Sequence, residues 1–240
     1  WPEMTSAGIG GQQMVNRGFP AWWPSEKLSV RGYVEGLHHY REIAAIREQL
    51  KKRLLGGTGR PDIFIGVDAP DFNLDLEAAL KEAGIKTVHF VCPSVWAWRA
   101  DRMEKIKRSV DHVLCIFPFE PALLARHGIA ATYVGHPLAN VIPMQPDRSA
   151  ARLALGLRDE DTVIAILPGS RKSEVQYLAT RFFQAAALVK RAQPAIKFIV
   201  PAVPALTAMI ERLADEAGIE CAFGADLQLV SGTWHKVLAA

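Results

Sequence analysis

Apolar residues follow two alternating patterns along the chain. Ile43, Ile46, Leu50 and Leu54 are separated by three or four positions, which is typical of a helix with one buried face. Shorter apolar runs, such as DIFIGV at 62–67, predict buried strands. Strands are predicted at 62–67, 86–91, 111–116, 131–134, 162–167, 197–200 and 220–223. Helices are predicted up to Leu55, at 72–83, from about 99, at 120–127, from 149, at 173–191 and at 206–217.

Strands and helices alternate in both halves of the chain. This order predicts an α/β fold whose parallel sheets carry helices on both faces, with the carboxyl ends of the strands at one edge, where ligands bind. Residues 137–148 (PLANVIPMQPDR) contain three prolines and no such pattern, which predicts a hinge. We therefore predict one domain at 1–136 and a second, doubly wound unit at 149–240 that is cut short at its end.

Charge narrows the range of functions. Lys and Arg exceed Asp and Glu by 28 to 25, and a net charge of +3 does not indicate nucleic-acid binding. The basic residues form two clusters, each of which could face anionic phospholipid or a phosphorylated substrate, or could be a solvated helix face. The first cluster is 51–53, and the second comprises Arg99, Arg102, Lys105, Lys107 and Arg108.

Three cysteines, Cys92, Cys115 and Cys221, lie in separate apolar runs and lack the spacing of a metal site. An odd number argues against a disulfide framework, so we expect reduced core thiols and a cytoplasmic protein. No apolar run reaches the ~20 residues of a membrane-spanning helix, and no signal peptide is visible.

The motif GVDAPDFN at 66–73 places acidic residues at a predicted strand-to-helix turn. Asp68 ends the strand at the ligand-binding edge, where its carboxylate could act as a general base for a sugar hydroxyl or could stabilise the loop by a hydrogen bond. Asp71 is expected to cap the helix that follows. Asn73 could donate a hydrogen bond to a substrate or serve as a cap.

The motif LPGSRKSE occupies the corresponding turn in the second half of the chain. Gly169 lets a ligand approach the backbone, and the next helix offers free N–H groups at the positive end of its dipole. Arg171 adds a forked cation that suits a diphosphate. Ser170 or Ser173 could cap the helix, and Glu174 could bond backward or hold Arg171. The pattern predicts the binding of an anion such as a diphosphate, although it is not a Walker loop.

Two further segments carry candidate substrate contacts. Ser94 and Trp96 lie in PSVWAWR at 93–99, whose tryptophans could form an apolar or sugar-binding wall or could pack in the core. His136, at the predicted hinge, could contact a phosphate, act as a base or be structural. The sequence contains no G-x-S-x-G elbow and no H-E-x-x-H pair, and GIGG at 8–11 is a very weak dinucleotide fingerprint.

Five motifs occur in an order and at spacings that closely resemble the lipid-A-disaccharide synthase family. They are GVDAPDFN (66–73), PSVWAWR (93–99), FPFE (117–120), VGHPL (134–138) and LPGSRxxEV (167–175). The resemblance covers essentially the whole chain and implies a GT-B architecture, that is, two Rossmann-like doubly wound domains, both incomplete here. It places Asp68 on the essential acid of the front domain and Arg171 on the essential arginine of the back domain. We expect these two side chains to meet over a shared cleft.

The resemblance also implies a reaction. The family transfers 2,3-diacylglucosamine from UDP-2,3-diacylglucosamine to 2,3-diacylglucosamine 1-phosphate, forming a β-1,6-linked disaccharide with inversion and releasing UDP. Because Arg171 and the helix N-terminus could stabilise the departing UDP, we expect no metal and no other cofactor, and the small net charge leads us to expect no nucleic-acid partner. The resemblance also implies a peripheral location on the cytoplasmic face of the inner membrane of Gram-negative bacteria, and it leaves oligomerisation open. A patch that could face lipid or pack in the core comprises Trp22, Trp23, Leu28, Val30, Tyr33, Val34 and Leu37.

The sequence departs from the family pattern near both ends. The opening strand with its Gly-Glu-Thr-Ser-Gly-Asp-like loop is absent, and so is the Ser-Gly-Thr-x-x-Leu-Glu stretch, because Ser231-Gly232-Thr233 lies too early and is predicted to be a turn. We therefore expect this chain alone to be inactive. Two alternatives remain open, namely a UDP-sugar epimerase of related architecture and a truncated, non-catalytic module that binds a UDP-sugar.

Overall fold

The chain forms two compact units, 1–139 and 140–240. The computed structural model describes residues 3–28, 36–94, 102–219, 227–232 and 234–240. The boundary between the units falls inside the segment that was predicted to be the hinge. Each unit has its own sheets and its own apolar clusters.

The first unit contains two parallel sheets. The shorter one pairs β1 with β2, and the longer one has the strand order β3-β4-β5-β6. The predicted parallel α/β architecture is therefore confirmed. The elements are β1 Gly8–Gly10, α1 Gln12–Val15, β2 Ala21–Pro24, α2 Gly36–Leu55, β3 Ile63–Val67, α3 Pro70–Glu82, β4 Lys86–Phe90, α4 Arg102–Ser109, β5 His112–Cys115, α5 Glu120–Ala125 and β6 Ala131–Tyr133.

The apolar face of α2 packs as its spacing predicts. Ile46, Leu50 and Leu54 are buried in one cluster with residues of α3, and Ile43 packs at its edge. This cluster joins α2 to α3, and α3 in turn packs against β3 and β4. A second cluster joins α4 and α5 to β5. The helices thus hold the carboxyl ends of β3 and β4 in fixed register, which positions the turns that follow these strands.

Strand β3 is less buried than its run of apolar residues predicted. Gly66 lies on the face covered by helices, but Ile63, Ile65 and Val67 alternate with it and are half exposed on the other face. The cause is that, among the described residues, α3, α4 and α5 pack on the side of the sheet that carries buried residues such as Thr87.

The second unit is doubly wound. Its three parallel strands have the order β7-β8-β9, with α7 and α8 packed in one apolar cluster and α9 packed in another with Leu155 and Leu157, which follow α6. Phe198 and Val200 of β8 belong to the first cluster, and Ile199 between them belongs to the second. The elements are α6 Arg148–Ala154, β7 Val163–Ala165, α7 Lys172–Ala192, β8 Lys197–Ala202, α8 Thr207–Glu216, β9 Leu227–Ser231 and α9 Trp234–Ala239.

Several predicted elements differ from the structure. The opening segment, which shows no periodicity, contains β1 and β2, because a three- or four-residue strand is too short to show a period. The predicted strand at 220–223 lies outside the described residues, as does Cys221. Ser231, predicted to lie in a turn, instead ends β9, and Gly232 after it has φ of 70°.

Cys92 and Cys115 are buried free thiols of one apolar cluster. Burial raises the pKa of Cys115 to about 11 and raises that of Cys92 further, so both remain protonated at neutral pH. This agrees with the prediction of core thiols. None of the helices in the described ranges combines the length and apolar character that crossing a bilayer requires.

Candidate functional site

Asp68 lies in the turn that joins β3 to α3. Its N–H donates to the carbonyl of Phe90 at 2.9 Å, so the turn continues the β3–β4 ladder for one residue. Asp68 and Ala69 then take left-handed backbone angles, with φ of 50° and 43°, and α3 begins at Pro70. The carboxylate of Asp68 is exposed and has no hydrogen-bond or ionic partner among the described residues. It is therefore open to an incoming ligand rather than engaged in stabilising the loop.

Asn73 holds this turn from inside the unit. It is 7% exposed, and its Nδ2 donates to the carbonyls of Asp68 at 2.8 Å and Val67 at 3.3 Å. These bonds hold the amide against the backbone of the turn, and the predicted contact of Asn73 with a substrate stays a prediction.

The predicted capping role of Asp71 is wrong. The cap position of α3 is Ala69, which contributes no side-chain hydrogen bond, and Pro70 takes the first helical position, where no N–H donor is needed. Asp71 instead lies on the surface and pairs with Arg102 of α4 at 3.1 Å.

A buried ionisable pair lies against β3 and β4 just before their ends. Glu77 of α3 and His89 of β4 are fully buried, with His89 Nδ1 2.8 Å from Glu77 Oε1. Burial raises the pKa of the Glu77 carboxyl, and the hydrogen bond with His89 opposes this rise only in part. Neither residue was predicted to belong to the site. The available signal was Gly66 inside a strand, which marks a close approach by another group.

The ends of the neighbouring strands complete this edge of the sheet. After β4, Val91 has φ of 76° and donates its N–H to the carbonyl of Leu114 at 3.0 Å. Ser94 follows on the surface, which suits its predicted substrate contact, whereas Trp96 lies outside the described residues. Three strand ends that meet at one edge form the kind of surface that binds ligands in parallel sheets.

An exposed aromatic cluster follows β5 and β6. The rings of Phe117 and Phe119 are stacked with centroids 5.9 Å apart, and the ring of His136 lies 6.3 Å from that of Phe117. His136 Nδ1 accepts the N–H of Leu138 at 3.1 Å, which orients its ring. Beneath the cluster, buried Glu120 accepts the N–H of Phe117 at 2.9 Å. The predicted contact of His136 with a phosphate stays a prediction, as does its role as a base.

In the second unit, Glu174 closes the loop before α7. Its Oε2 accepts the N–H groups of Ser170 and Arg171 at 3.0 and 3.2 Å, and its Oε1 lies 2.5 Å from Arg171 Nη1. Both roles that were considered for Glu174 are therefore observed. It accepts hydrogen bonds from the backbone that precedes it, and it pairs with the side chain of Arg171. The hydrogen bond from Ser170, together with those from Arg171, keeps the pKa of Glu174 below its usual range. Gly169 has φ of 118°, and a Cβ there would lie 2.5 Å from Glu174 Cβ.

A cavity of about 480 Å³ adjoins this loop, at the carboxyl ends of β7, β8 and β9. Most of the residues that line it are apolar. Arg171 lies outside this lining, and its side chain is 55% exposed. The residues after β8 were not singled out by sequence analysis. The cavity is lined by Leu167, Gly169, Ser170, Pro201, Ala202, Val203, Pro204 and Gly232.

Some of the residues that were considered for lipid or phosphate contact interact with other residues of the protein. Arg102 pairs with Asp71, and Lys105 pairs with Asp75 at 2.6 Å. Arg53 stacks over the ring of Trp22 at 4.2 Å. Trp22, Trp23 and Leu28 pack partly against the cluster formed by α2 and α3, whereas the side chains of Val30, Tyr33, Val34, Leu37 and Arg99 lie outside the described set.

Asp68 and Arg171 belong to different units, so their meeting over a shared cleft stays a prediction. Within the described ranges, no three or more His, Cys, Asp or Glu side chains are grouped in a way that could hold a metal ion.

Two α/β units, each built on parallel strands, agree with the predicted GT-B class of folds. A family model described as lipid-A-disaccharide synthetase matches residues 1–236, and the chain belongs to this family.

Two relatives support the family assignment. The chain is 69% identical over 241 residues to the lipid-A-disaccharide synthase of Albidiferax ferrireducens and 61% identical to that of Verminephrobacter eiseniae. Each match covers 100% of this chain and 60% of the relative, so the chain spans about 60% of their length.

The fold is also similar to the crystal structure of UDP-GlcNAc 2-epimerase from Neisseria meningitidis bound to UDP-GlcNAc. The TM-score is 0.54 at 10% identity, covering 98% of this chain and 74% of that one.

Proposed function

We propose that this chain supplies the catalytic acid and the diphosphate-binding loop of an inverting glycosyltransferase. The reaction would transfer 2,3-diacylglucosamine from UDP-2,3-diacylglucosamine to 2,3-diacylglucosamine 1-phosphate, giving the β-1,6-linked lipid A disaccharide and UDP. The observation that carries the proposal is the family match over residues 1–236. Within that range, the motif that contains Asp68 and the motif that contains Arg171 each follow the end of a parallel strand, where ligands bind.

Asp68 would act as the general base. Its carboxylate is exposed at the sheet edge and has no competing partner among the described residues, so it can take the proton of the acceptor's 6-hydroxyl. The 6-oxygen would attack the anomeric carbon from the side opposite UDP, forming the new C–O bond as the bond to the diphosphate breaks. One displacement of this kind inverts the anomeric centre.

Arg171 and the N-terminus of α7 would receive the charge that develops on UDP. In the structure, these donors already bind an anion, because the carboxylate of Glu174 accepts hydrogen bonds from two backbone N–H groups and from Arg171. Among the described residues the other guanidinium donors have no partner, so they could bind a diphosphate in the forked geometry that arginine favours. The adjoining cavity of about 480 Å³ has a size suited to a small-molecule ligand such as a nucleoside.

We also propose that the acylated substrates are met at the cytoplasmic surface of the inner membrane. Support comes from apolar residues exposed at the same sheet edge, Phe117 and Phe119, and from the exposed cation Lys52 on α2. Flotation with vesicles containing anionic lipid tests this proposal. Binding that is equal for anionic and neutral vesicles would contradict an electrostatic contribution.

The central experiment measures UDP release with and without the lipid acceptor. It uses this chain and, in parallel, a chimaera in which the chain replaces the matching segment of the Albidiferax ferrireducens relative. Release that requires the acceptor supports the transferase. Conversion of the UDP-sugar without the acceptor would indicate an epimerase, and binding without turnover in the chimaera would indicate a non-catalytic module.

The assignment of the base is tested by Asp68→Asn in the chimaera. Loss of a general base is expected to lower kcat by roughly 10²–10⁴-fold. The matched control is Asp62→Asn, which changes an exposed acid at the opposite end of β3. Near-normal turnover by Asp68→Asn would show that another group takes the proton.

A further inference from the structure

We propose that the buried pair Glu77–His89, together with Gly66 and Asn73, is a positioning device for the turn that carries Asp68. The inference deepens the proposed function, because it rests on Asp68 acting as the base. These four residues do not reach the surface of the site, and none of them needs to touch substrate.

The pair fits against the sheet because Gly66 has no side chain. Gly66 and His89 are register partners on β3 and β4, so the imidazole lies beside the position where residue 66 has no side chain. Glu77 of α3 fills this space, because a Cβ at position 66 would lie 2.1 Å from Glu77 Oε1. The carboxylate of Glu77 therefore occupies the space that Gly66 leaves on β3, and it is hydrogen-bonded at 2.8 Å to the imidazole of His89 on β4.

Asn73 connects the pair to the turn. It lies one helical turn before Glu77 on α3, and its Cγ would be 3.1 Å from the same Cβ at position 66. Its Nδ2 donates to the carbonyl groups of Val67 and Asp68. A shift of Glu77 would thus move α3 or the Asn73 amide, and the carbonyl of Asp68 would follow.

The turn requires such support because its backbone is strained. Asp68, Ala69 and Val91 all have positive φ, of 50°, 43° and 76°, and none of them is glycine. Such angles persist only where the surrounding structure over-determines them, and they concentrate at functional sites. The three strained residues follow β3 and β4, the two strands that Gly66 and His89 occupy.

A contribution to folding stability does not explain why Glu77 and His89 are buried together. Within the described ranges, Glu77 Oε2 and His89 Nε2 are buried without a hydrogen-bond partner. Buried polar groups that are only partly satisfied cost free energy, and well-packed apolar residues often replace buried ion pairs without loss. A buried pair that carries such a cost fits a role in fixing one conformation.

Hydrogen exchange tests the positioning without requiring turnover. The amides of Asp68 and Asn73, which bond to Phe90 and Ala69, report on the turn in the 240-residue chain. Glu77→Leu is expected to accelerate exchange at both amides by about tenfold or more beyond the effect of Leu50→Ala. Leu50→Ala is the control, because it weakens the apolar cluster between α2 and α3 from α2 and leaves the pair intact.

Conservative variants separate positioning from packing. Glu77→Gln and His89→Gln keep a hydrogen-bonding group of similar size, and we expect near-normal exchange at Asp68 in both. In the chimaera, Glu77→Leu should lower kcat at least about tenfold with the acceptor KM changed less than about twofold, and Glu77→Gln should restore kcat. If Glu77→Leu does not fold, exchange and kcat are compared between His89→Leu and the two glutamine variants instead.

Two outcomes are decisive in different ways. Exchange at Asp68 and Asn73 that rises no more in Glu77→Leu than in Leu50→Ala overturns the positioning role. If exchange rises selectively but Asp68→Asn retains turnover, the turn is positioned as inferred while the proposed function of Asp68 fails.

Discussion

A glycine makes room for a glutamate at the candidate site of each unit. In the first unit, Glu77 lies over Gly66, and in the second, Glu174 lies over Gly169. Both glutamates come from the helix that follows the strand or loop of the glycine. The difference is exposure, because Glu77 is buried with a histidine whereas Glu174 binds backbone N–H groups at the surface. Adding one methyl group at either glycine should therefore act directly on the site.

Gly169→Ala is expected to destabilise the second unit and to weaken UDP binding. The new Cβ would lie 2.5 Å from Glu174 Cβ, and overpacking of this kind costs about 1–3 kcal/mol. Gly156→Ala is the matched control, because Gly156 also has positive φ, of 68°, but a Cβ there would meet no described atom within 4 Å. Thermal unfolding and calorimetric titration with UDP should separate the two variants. Equal UDP affinities would show that the loop before α7 does not bind the nucleotide.

Asp161 is expected to stabilise the second unit in a pH-dependent way. Its side chain is 4% exposed and accepts hydrogen bonds from Lys197 Nζ at 2.7 Å and from the Arg158 N–H at 2.8 Å. These bonds, chiefly that from Lys197, hold the pKa of Asp161 well below its usual range. The stabilisation is therefore complete above the unfolded-state pKa of about 4 and is lost as pH falls towards the lower folded-state pKa.

The measurement compares Asp161→Asn with the native chain in thermal unfolding at about pH 7 and about pH 3. The variant should have the lower Tm at neutral pH, and the difference should narrow in acid. Asp215→Asn, which changes an exposed acid on α8, serves as the control. A difference in Tm that widens as pH falls would contradict the sign of the pKa shift.

At the scale of elements, α7 organises the second unit. It runs from Lys172 to Ala192, presents the proposed diphosphate loop at its start and buries five residues against the sheet. Phe183 is fully buried in the cluster shared with α8, whereas its neighbour Phe182 is 39% exposed. The helix that carries the loop is thus anchored through one side of its surface.

Phe183→Ala is expected to cost about 3–5 kcal/mol of unfolding free energy, because it removes a buried ring and leaves a cavity. Phe182→Ala is the matched control, and since its ring is partly exposed it should cost less than half as much. Urea unfolding followed by circular dichroism gives both values. A larger loss for Phe182→Ala would mean that the inward face of α7 is assigned to the wrong side.

Helices with a regular apolar face could be predicted from sequence because their burial pattern is local. The spacing of Ile46, Leu50 and Leu54 placed the buried face of α2 correctly. The same reasoning missed β1 and β2, which are too short to show alternation, and overestimated the burial of β3. The burial of β3 depends on which elements cover each face of the sheet, and that is a property of the assembled unit.

The candidate sites show the same limit. The positions of Asp68 and Arg171 at strand-to-helix turns could be predicted, because a strand followed by a helix fixes where the turn lies. The partnership of Glu77 with His89 could not, because it depends on the register of β3 with β4 and on how α3 lies across them. Asp71 was assigned as a cap because the sequence does not show that Pro70 begins the helix.

At the scale of the whole molecule, the two proposed chemical roles belong to separate units. Asp68 lies in the unit 1–139, and Arg171 lies in the unit 140–240. Each unit has its own apolar clusters, so a substitution in one site should leave the architecture of the other unit intact. The proposed function therefore predicts that donor binding and proton transfer can be lost one at a time.

One substitution in each unit tests whether the two roles are separate. In the 240-residue chain, Arg171→Ala is expected to weaken UDP binding about tenfold or more, because a guanidinium that contacts a diphosphate is lost. Lys172→Ala removes the neighbouring exposed cation and is the matched control. Asp68→Asn should leave UDP affinity within about twofold of the native value, since the acid lies in the other unit. Titration calorimetry measures all three, and a loss of UDP binding in Asp68→Asn comparable to that in Arg171→Ala would contradict separate roles for the two units.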